Sequence, residues 1–409
     1  MRFTFLHAAD LHLGSPFRGL SLRDESLATR LASASRDAFA DLVDRALEEQ
    51  VRFAILAGDI FDGDWRDASI ALFFNRQIAR LAKAGVPIYL LKGNHDADSV
   101  VTKSLSLPDL AHQFPTGRPG SFELPEWRVI LHGRGFSHRA ESENLARSFP
   151  APRPGWFNIG VLHSSLDGRP GHASYAPCSL DDLRAKNYDY WALGHVHAHE
   201  VVARDPYVVF PGNLQGRSIR ETGAKGAVLV DVEDGMVADL RRLIVDRARF
   251  AEIALDAGAH EDTATLLRAA EARACAEAEQ AEGRPLALRF RIFGASPLHA
   301  QLAADPARWC DEFEAAAQRA QDDVALERFV LDTAAPPSAT RFDSEFDFAA
   351  LLDEALADPE LRRAALAALA TIEGKIPAPA PPFGDELDAL LREARDLALA
   401  RAERGGDSA

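Results

Sequence analysis

Five short polar motifs, each set directly behind a run of apolar residues, constrain this chain more than any other feature of it. They are Asp10-Leu11-His12, Gly58-Asp59-Ile60-Phe61-Asp62, Gly93-Asn94-His95-Asp96, a lone His163 and Gly194-His195-Val196-His197. The preceding runs, Phe3–Ala8, Val51–Ala57, Val86–Leu91, Trp156–Leu162 and Tyr188–Leu193, read as buried strands. A helix over Asp24–Gln50, striped by Leu27, Leu31, Phe39, Leu42, Val43 and Leu47, separates the first two strands. A second helix over about 66–84, stopped by Gly85 and Pro87, separates the next two. This β-α-β-α-β rhythm predicts an α/β core that is at least partly parallel. In such a sheet, polar residues at successive strand ends gather on one edge. Further strands at Arg128–His132, Val201–Val202, Tyr207–Phe210 and Ala227–Val232 have shorter connections, so two packed sheets with helices outside are expected over residues 1–245.

From about residue 246 the pattern changes. Ala251–Leu255, Leu286–Phe293 and Ala325–Leu331 read as strands around Ala/Glu-rich helices near 261–281 and 305–321, which predicts a small α+β domain over 246–335. After Pro336-Pro337 the chain turns helical: Asp343–Leu356, a helix opened by Asp358 and Pro359, and a last one over about 385–404 beyond a Pro-rich linker. Residues 336–409 are therefore expected to form an acidic helical region suited to docking a partner.

Charge sharpens that division. The net charge of −16 argues against a nucleic-acid binder if taken whole, but residues 251–409 hold 16 Lys and Arg against 31 Asp and Glu, leaving 30 against 31 for residues 1–250. The acidity sits in the tail, where it points to a protein partner. No apolar run approaches the roughly 18–20 residues that span a bilayer, and Met1–His7 enters a strand with no leader-like apolar stretch. The three cysteines form no CxxC pair, so no disulfide framework is expected and the cytoplasm is the expected location.

Asp10 and His12 stand two apart and face one way on an extended segment, offering a carboxylate and an imidazole to a borderline cation. Asp59 is the candidate to bridge two ions, Asn94 offers a neutral amide oxygen, and His163, His195 and His197 add imidazoles. The expected division is Asp10, His12, Asp59 and His197 on one ion, with Asp59, Asn94, His163 and His195 on the other. Such a centre suits attack of activated water on a phosphate ester. His95, beside Asn94, is expected to act as general acid or to stabilise the transition state, with Asp96 holding its ring. Arg217 and Arg220, in the loop after Tyr207–Phe210, and Phe17 and Arg18 beside the first motif are candidates to meet a phosphate or a base.

Together the motifs resemble the calcineurin-like metallophosphoesterases. The longer stretch His7-Ala8-Ala9-Asp10-Leu11-His12-Leu13-Gly14-Ser15-Pro16-Phe17-Arg18-Gly19-Leu20 resembles the SbcD-type DNA repair exonucleases, in particular their YhaO-like branch. Pro211-Gly212-Asn213-Leu214-Gln215-Gly216-Arg217 with Glu221-Thr222-Gly223 is similar to that branch too. The resemblance implies a two-sheet sandwich flanked by helices, a small α+β capping domain and a helical C-terminal region. It also implies two Mn2+ ions, DNA phosphodiester cleavage by a hydroxide between them, a homodimer, and an SMC-like coiled-coil ATPase of the SbcC type as partner. Two alternatives stay open: a phosphodiesterase acting on small nucleotides, and a mainly regulatory or scaffold subunit of such an ATPase. A protein-phosphatase relative would carry arginines in the second and third motifs; Gly58–Asp64 and Gly93–Asp98 contain none.

Overall fold

The computed structural model describes residues 1–15, 25–62, 68–98, 107–168, 175–320, 323–336, 348–373 and 387–406. Its first compact unit comprises Met1–Ala251 with Ala281–Ala287, and its second Glu252–Gln280 with Leu288–Ala409.

Alternation along the first strand generates the layers of the first unit. In β1 (Arg2–Ala8) the side chains of Phe3 and Phe5 enter one core while Leu6 and Ala8 enter another, because successive residues of a strand face opposite ways. β2 (Ala54–Leu56) and β3 (Ile88–Leu90) repeat the division: Ile55 and Tyr89 join Phe5, whereas Leu56 and Leu90 join Leu6. Burial on both faces accounts for the near-continuous apolar runs of these parallel strands. Helices α1 (Glu25–Glu48) and α2 (Ala68–Lys83) cover the outer face with Phe39, Leu42, Phe74 and Ile78. The short α3 (Asn94–Asp98) follows β3.

The first sheet has the order β12-β11-β1-β2-β3-β4, where β4 is Ala111–Gln113, β11 Gly226–Glu233 and β12 Met236–Ile244. The second has the order β5-β6-β7-β8-β10-β9, with β5 Gly120–Leu124, β6 Val129–Arg134, β7 Phe157–His163, β8 Tyr190–Gly194, β9 Glu200–Arg204 and β10 Tyr207–Phe210. β6, β7, β8 and β10 run parallel, with antiparallel edges at β5 and β9. Leu131, Ile159, Val161 and Tyr190 of this sheet meet Phe3, Phe5 and Phe53 of the other in a shared aromatic core, where the Phe5 and Phe53 rings stack at 4.9 Å. Trp191, Leu193 and Phe210 face the opposite way, under Phe136, Phe149 and Leu183 of α4 (Leu180–Arg184). The two-sheet sandwich with helices outside is therefore present.

Three strands were not anticipated. β4 and β5 are short edge strands with little apolar patterning. β12 is scarcely buried, so burial leaves no period in it; its signal is the Asp234-Gly235 turn, both residues at positive φ, which folds it back on β11.

The second unit contains the three-stranded sheet β13-β14-β15 (Arg249–Asp256, Leu286–Ala295, Val324–Ala334), the first strand beginning at the tail end of unit one. Phe290 and Phe313 pack at 5.2 Å, joining this sheet to α7 (Pro306–Ala320). Thr263–Ala281 (α5) and His299–Ala304 (α6) precede it, and α8 (Phe348–Ala357), α9 (Pro359–Glu373) and α10 (Leu387–Gly406) follow. Among the described residues, no helix is long and apolar enough to cross a membrane.

Candidate metal centre

Parallel strands bring the five motifs together. Asp10 and His12 follow β1, Asp59 follows β2, Asn94 and His95 open α3 after β3, His163 ends β7, and His195 and His197 follow β8. The first two loops are laced by their backbones: Asp10 N–H donates to Gly58 O at 3.0 Å, and His12 N–H donates to Asp59 O at 3.0 Å. The His195 N–H reaches across from the other sheet to the Asp10 carboxylate at 3.0 Å. Asp10, His12, Asp59 and His195 all have positive φ (52°, 42°, 51° and 102°), a region that disfavours every residue but glycine. Strain at four residues of one site is sustained only where surrounding contacts over-determine the backbone.

Side-chain distances define three overlapping donor groups among the described residues: Asp10, His12 and His197; Asp10, Asp59 and His163; His12, Asp62 and His95. Asp59 Oδ2 lies 3.9 Å from His12 Nε2 and 3.4 Å from His163 Nε2, so one carboxylate oxygen faces both halves of the cluster. His12 Nε2 and His197 Nε2 are 3.2 Å apart, and Asp10 Oδ1 is 3.9 Å from the latter. Asn94 Oδ1 sits 3.0 Å from His163 Nε2. These groups leave the division between two ions open. Asp10 belongs with Asp59 and His163 as well as with His12, whereas the His195 ring packs edge-on against His163 at 5.3 Å and joins none of the three groups.

The hydrogen-bond inventory shows that these residues fit a cation. His163 Nδ1 donates to the Ala57 carbonyl at 2.9 Å, which turns Nε2 toward two acceptors, Asn94 Oδ1 and Asp59 Oδ2. Only a proton or a metal can occupy that position favourably. Asp10, Asp59 and His163 are wholly buried. Burial disfavours a charged His163, yet the Asp59 and Asp10 carboxylates outweigh it and push the ring up to about 9. The carboxylates thus draw positive charge to the place a divalent ion would take. With Asp10, His12, Asp59, Asn94, His163 and His197 as donors, the mixed oxygen and nitrogen set suits a borderline cation.

At the rim, His95 Nδ1 lies 2.9 Å from Asp62 Oδ1, and Ser15 Oγ donates to Asp62 Oδ2 at 2.8 Å. Burial opposes ionisation of Asp62, but its bonds to His95 and Ser15 hold it well below the usual carboxylate range. Burial likewise opposes charge on His95, and the Asp62 bond with the Asp59 and Asp62 fields raises it above an ordinary histidine. The carboxylate that holds the ring is therefore Asp62 and not, as expected, Asp96. The Asp96 carboxylate instead accepts from the backbone N–H groups of Ile60, Phe61 and Gly93 at 3.0–3.1 Å, tying the second and third motif loops together. Asp62 stood in the second motif without a role; its position three residues past Asp59 was the available signal.

Of the remaining candidates, Arg217 lies at the site and Arg220 is exposed. Arg217 is gripped by Glu221, whose Oε1 also meets His197 Nδ1 at 2.7 Å. Sequence reasoning assigned Glu221 nothing. Phe17 and Arg18 lie outside the described residues. His7, left without a role, faces the inter-sheet core and contacts Tyr190 Oη and Leu193 O.

A family model for calcineurin-like phosphoesterases matches residues 3–199, the stretch that carries all five motifs. The chain contains a calcineurin-like metallophosphoesterase domain. Residues 250–334 match a second model, the middle domain of metallophosphoesterase YhaO. The metallophosphoesterase YhaO of Bacillus subtilis is 39% identical over 239 residues, covering 58% of this chain and 59% of that protein. DNA double-strand break repair protein Mre11 of Sulfurisphaera tokodaii is 27% identical over 257 residues, or 59% and 62% of the two chains. The Mre11 of Aeropyrum pernix is 28% identical over 277 residues, or 62% and 63%. The matches thus span about three-fifths of the length of these relatives. The first of the two matched models ends just beyond His197, so the matched stretch contains every candidate metal donor.

Proposed function

We propose that this chain is a two-metal phosphodiesterase acting on DNA, with Mn2+ as its working ion. The observation that carries the proposal is the placement of Asp59 Oδ2 between His12 and His163, with the His95–Asp62 pair alongside. Asp10, His12, Asp59, Asn94, His163, His195 and His197 would hold the ions. Bound there, two divalent cations supply charge to the phosphate oxygens and lower the pKa of water at the centre. The chain's own groups do the rest. Asp62 fixes the His95 ring through Nδ1 and favours its protonated form, in which Nε2–H can donate to a departing alkoxide. The buried carboxylates and strained loops keep the donors in place before substrate arrives.

A diester substrate is supported by the absence of arginine from Gly58–Asp62 and Gly93–Asp98, since a monoester dianion calls for an additional fixed cation. DNA as that diester is supported by the similarity to the two proteins named for double-strand break repair. An SMC-like coiled-coil ATPase is the proposed partner. Phe348, Leu351, Leu361 and Leu366 on α8 and α9 are exposed apolar side chains of a kind a partner covers. Three free cysteines accord with a reducing cytoplasm.

The test compares wild type, His95→Ala and Asp59→Ala on linear duplex DNA, bis-p-nitrophenyl phosphate and a phosphomonoester with Mn2+. DNA degradation that requires Mn2+ and both residues, with little monoesterase activity, is the expected result. Turnover of small esters with DNA left intact would place the protein among nucleotide phosphodiesterases. For the partner, deletion of residues 340–409 should abolish ATPase association and leave cleavage of short substrates; association that survives the deletion removes the tail from that role.

A further inference from the structure

The carboxylate of Glu221 is filled on both oxygens. Oε1 lies 2.7 Å from His197 Nδ1 and 2.8 Å from Arg217 Nη2. Oε2 accepts from the Arg217 backbone N–H at 2.8 Å, from Asn213 Nδ2 at 2.9 Å and from Arg217 Nε at 3.3 Å. Five donors on two oxygens leave the group no freedom to turn, and its side chain is only 12% exposed. A carboxylate accepts and cannot donate, so the proton on this edge of the imidazole belongs to His197 Nδ1. Arg217 Nη2 is also 3.2 Å from that nitrogen, but two donors cannot bond one another, and both protons converge on Oε1.

The consequence falls on the opposite nitrogen. With Nδ1 carrying the proton, the ring's lone pair lies on Nε2, the atom that faces His12 Nε2 at 3.2 Å and Asp10 Oδ1 at 3.9 Å. We propose that Glu221 is a positioning residue that holds His197 in its Nδ1–H tautomer and thereby presents Nε2 to the metal centre. This rests on reading the cluster as a metal centre. The hydrogen bond at one ring nitrogen decides which nitrogen is free to ligate, and losing such an outer partner typically weakens metal binding roughly 10- to 100-fold. Lys225 steadies the same segment from the backbone side, its Nζ donating to His197 O at 3.1 Å.

Two measurements on wild type, Glu221→Ala and Glu221→Gln test the proposal. The first is the imidazole 15N spectrum of the metal-free protein, with His197 assigned by its loss in His197→Gln. Wild type should show His197 protonated on Nδ1, Glu221→Ala should revert to Nε2–H, and Glu221→Gln, which keeps an acceptor, should retain Nδ1–H. The second is calorimetric titration with Mn2+ alone. Glu221→Ala should bind roughly 10- to 100-fold more weakly, and Glu221→Gln should stay within a few-fold of wild type. The same tautomer in wild type and Glu221→Ala overturns the proposal. So does equal loss of affinity in the Ala and Gln variants, which would mean that the charge matters and the acceptor does not. Wild type that binds no Mn2+ removes the metal-centre reading, while the nitrogen spectra still decide what Glu221 does. If Glu221→Ala fails to fold, the Gln variant alone decides: loss of the Nδ1–H tautomer in it would overturn the proposal.

Discussion

Under the proposed function, the His95–Asp62 pair should separate two kinds of phosphodiester. A DNA alkoxide needs a proton as it leaves, whereas p-nitrophenolate does not. Asp62→Asn should therefore lower turnover of DNA by roughly 100-fold, at the low end of what proton transfer contributes, and spare bis-p-nitrophenyl phosphate. Equal losses on both substrates would show that Asp62 serves something other than the proton on His95. That the partner is Asp62 could not be read from neighbourhood in the chain. Asp96 adjoins His95, but its carboxylate turns to the amides of Ile60, Phe61 and Gly93, while Asp62 arrives from another strand end. The motifs disclosed which chemistry was present; which carboxylate meets which ring depends on how loops cross. His132 gives a second test away from the site. It is buried, stacked on Tyr188 at 5.0 Å, and burial lowers it from 6.5 to about 4. Between those values the unfolded chain binds a proton that the folded chain does not, so this residue's contribution to stability is intact above pH 6.5 and is lost as pH falls toward 4. His132→Phe keeps the stacking and removes the proton. Its melting temperature should gain on wild type as pH drops from 6.5 to 4, and a constant gap would refute the assignment.

At the level of elements, register converts a glycine into a packing requirement. β7 and β8 pair with Gly160 opposite Trp191, and a Cβ on Gly160 would lie 2.3 Å from Trp191 Cε3. The indole, fully buried against Phe149 and Tyr188, has no space into which to retreat. Gly160→Ala should cost about 1–3 kcal/mol, the usual penalty for overpacking, with Mn2+ affinity unchanged, as denaturant unfolding and calorimetry would show. Unaltered stability would mean that the two strands separate more readily than their packing implies. The strand itself was legible, because Trp156–Leu162 is an apolar run ending in a histidine. Its glycine carried only the general message that something approaches closely. The long buried strands were visible for the same reason, since burial on both faces writes an unbroken apolar run into the sequence. Where burial is slight, as in β4, β5 and β12, no such run exists to be read.

Across the whole molecule, composition and periodicity mark a change near residue 246 but say nothing of a chain that comes back. Residues 281–287 return to the first unit. There the Arg284 guanidinium reaches the fully buried Asp246 carboxylate at 2.7 Å, and Arg249 N–H donates to the Pro285 carbonyl at 2.9 Å. Asp246 also receives the Lys225 backbone N–H at 2.9 Å and Arg249 Nε at 3.0 Å, so Arg284 completes a pairing begun by Lys225 and Arg249. A pattern of apolar residues cannot encode an arginine that returns after an intervening strand and helix. The cost of losing it can be stated: a hydrogen bond to a buried charge is worth about 1.5–3 kcal/mol, which for a unit of this size lowers the melting temperature by several degrees. A fragment of residues 1–251 keeps every candidate metal donor but lacks Arg284, and its melting temperature should fall below that of the same unit in the full chain. Arg284→Met in the full chain should move the unit in the same direction, since it removes the charge while keeping the aliphatic stem. Were the fragment and the variant both to melt with the intact protein, the returning segment would be a passive crossing, and the metallophosphoesterase unit would close without it.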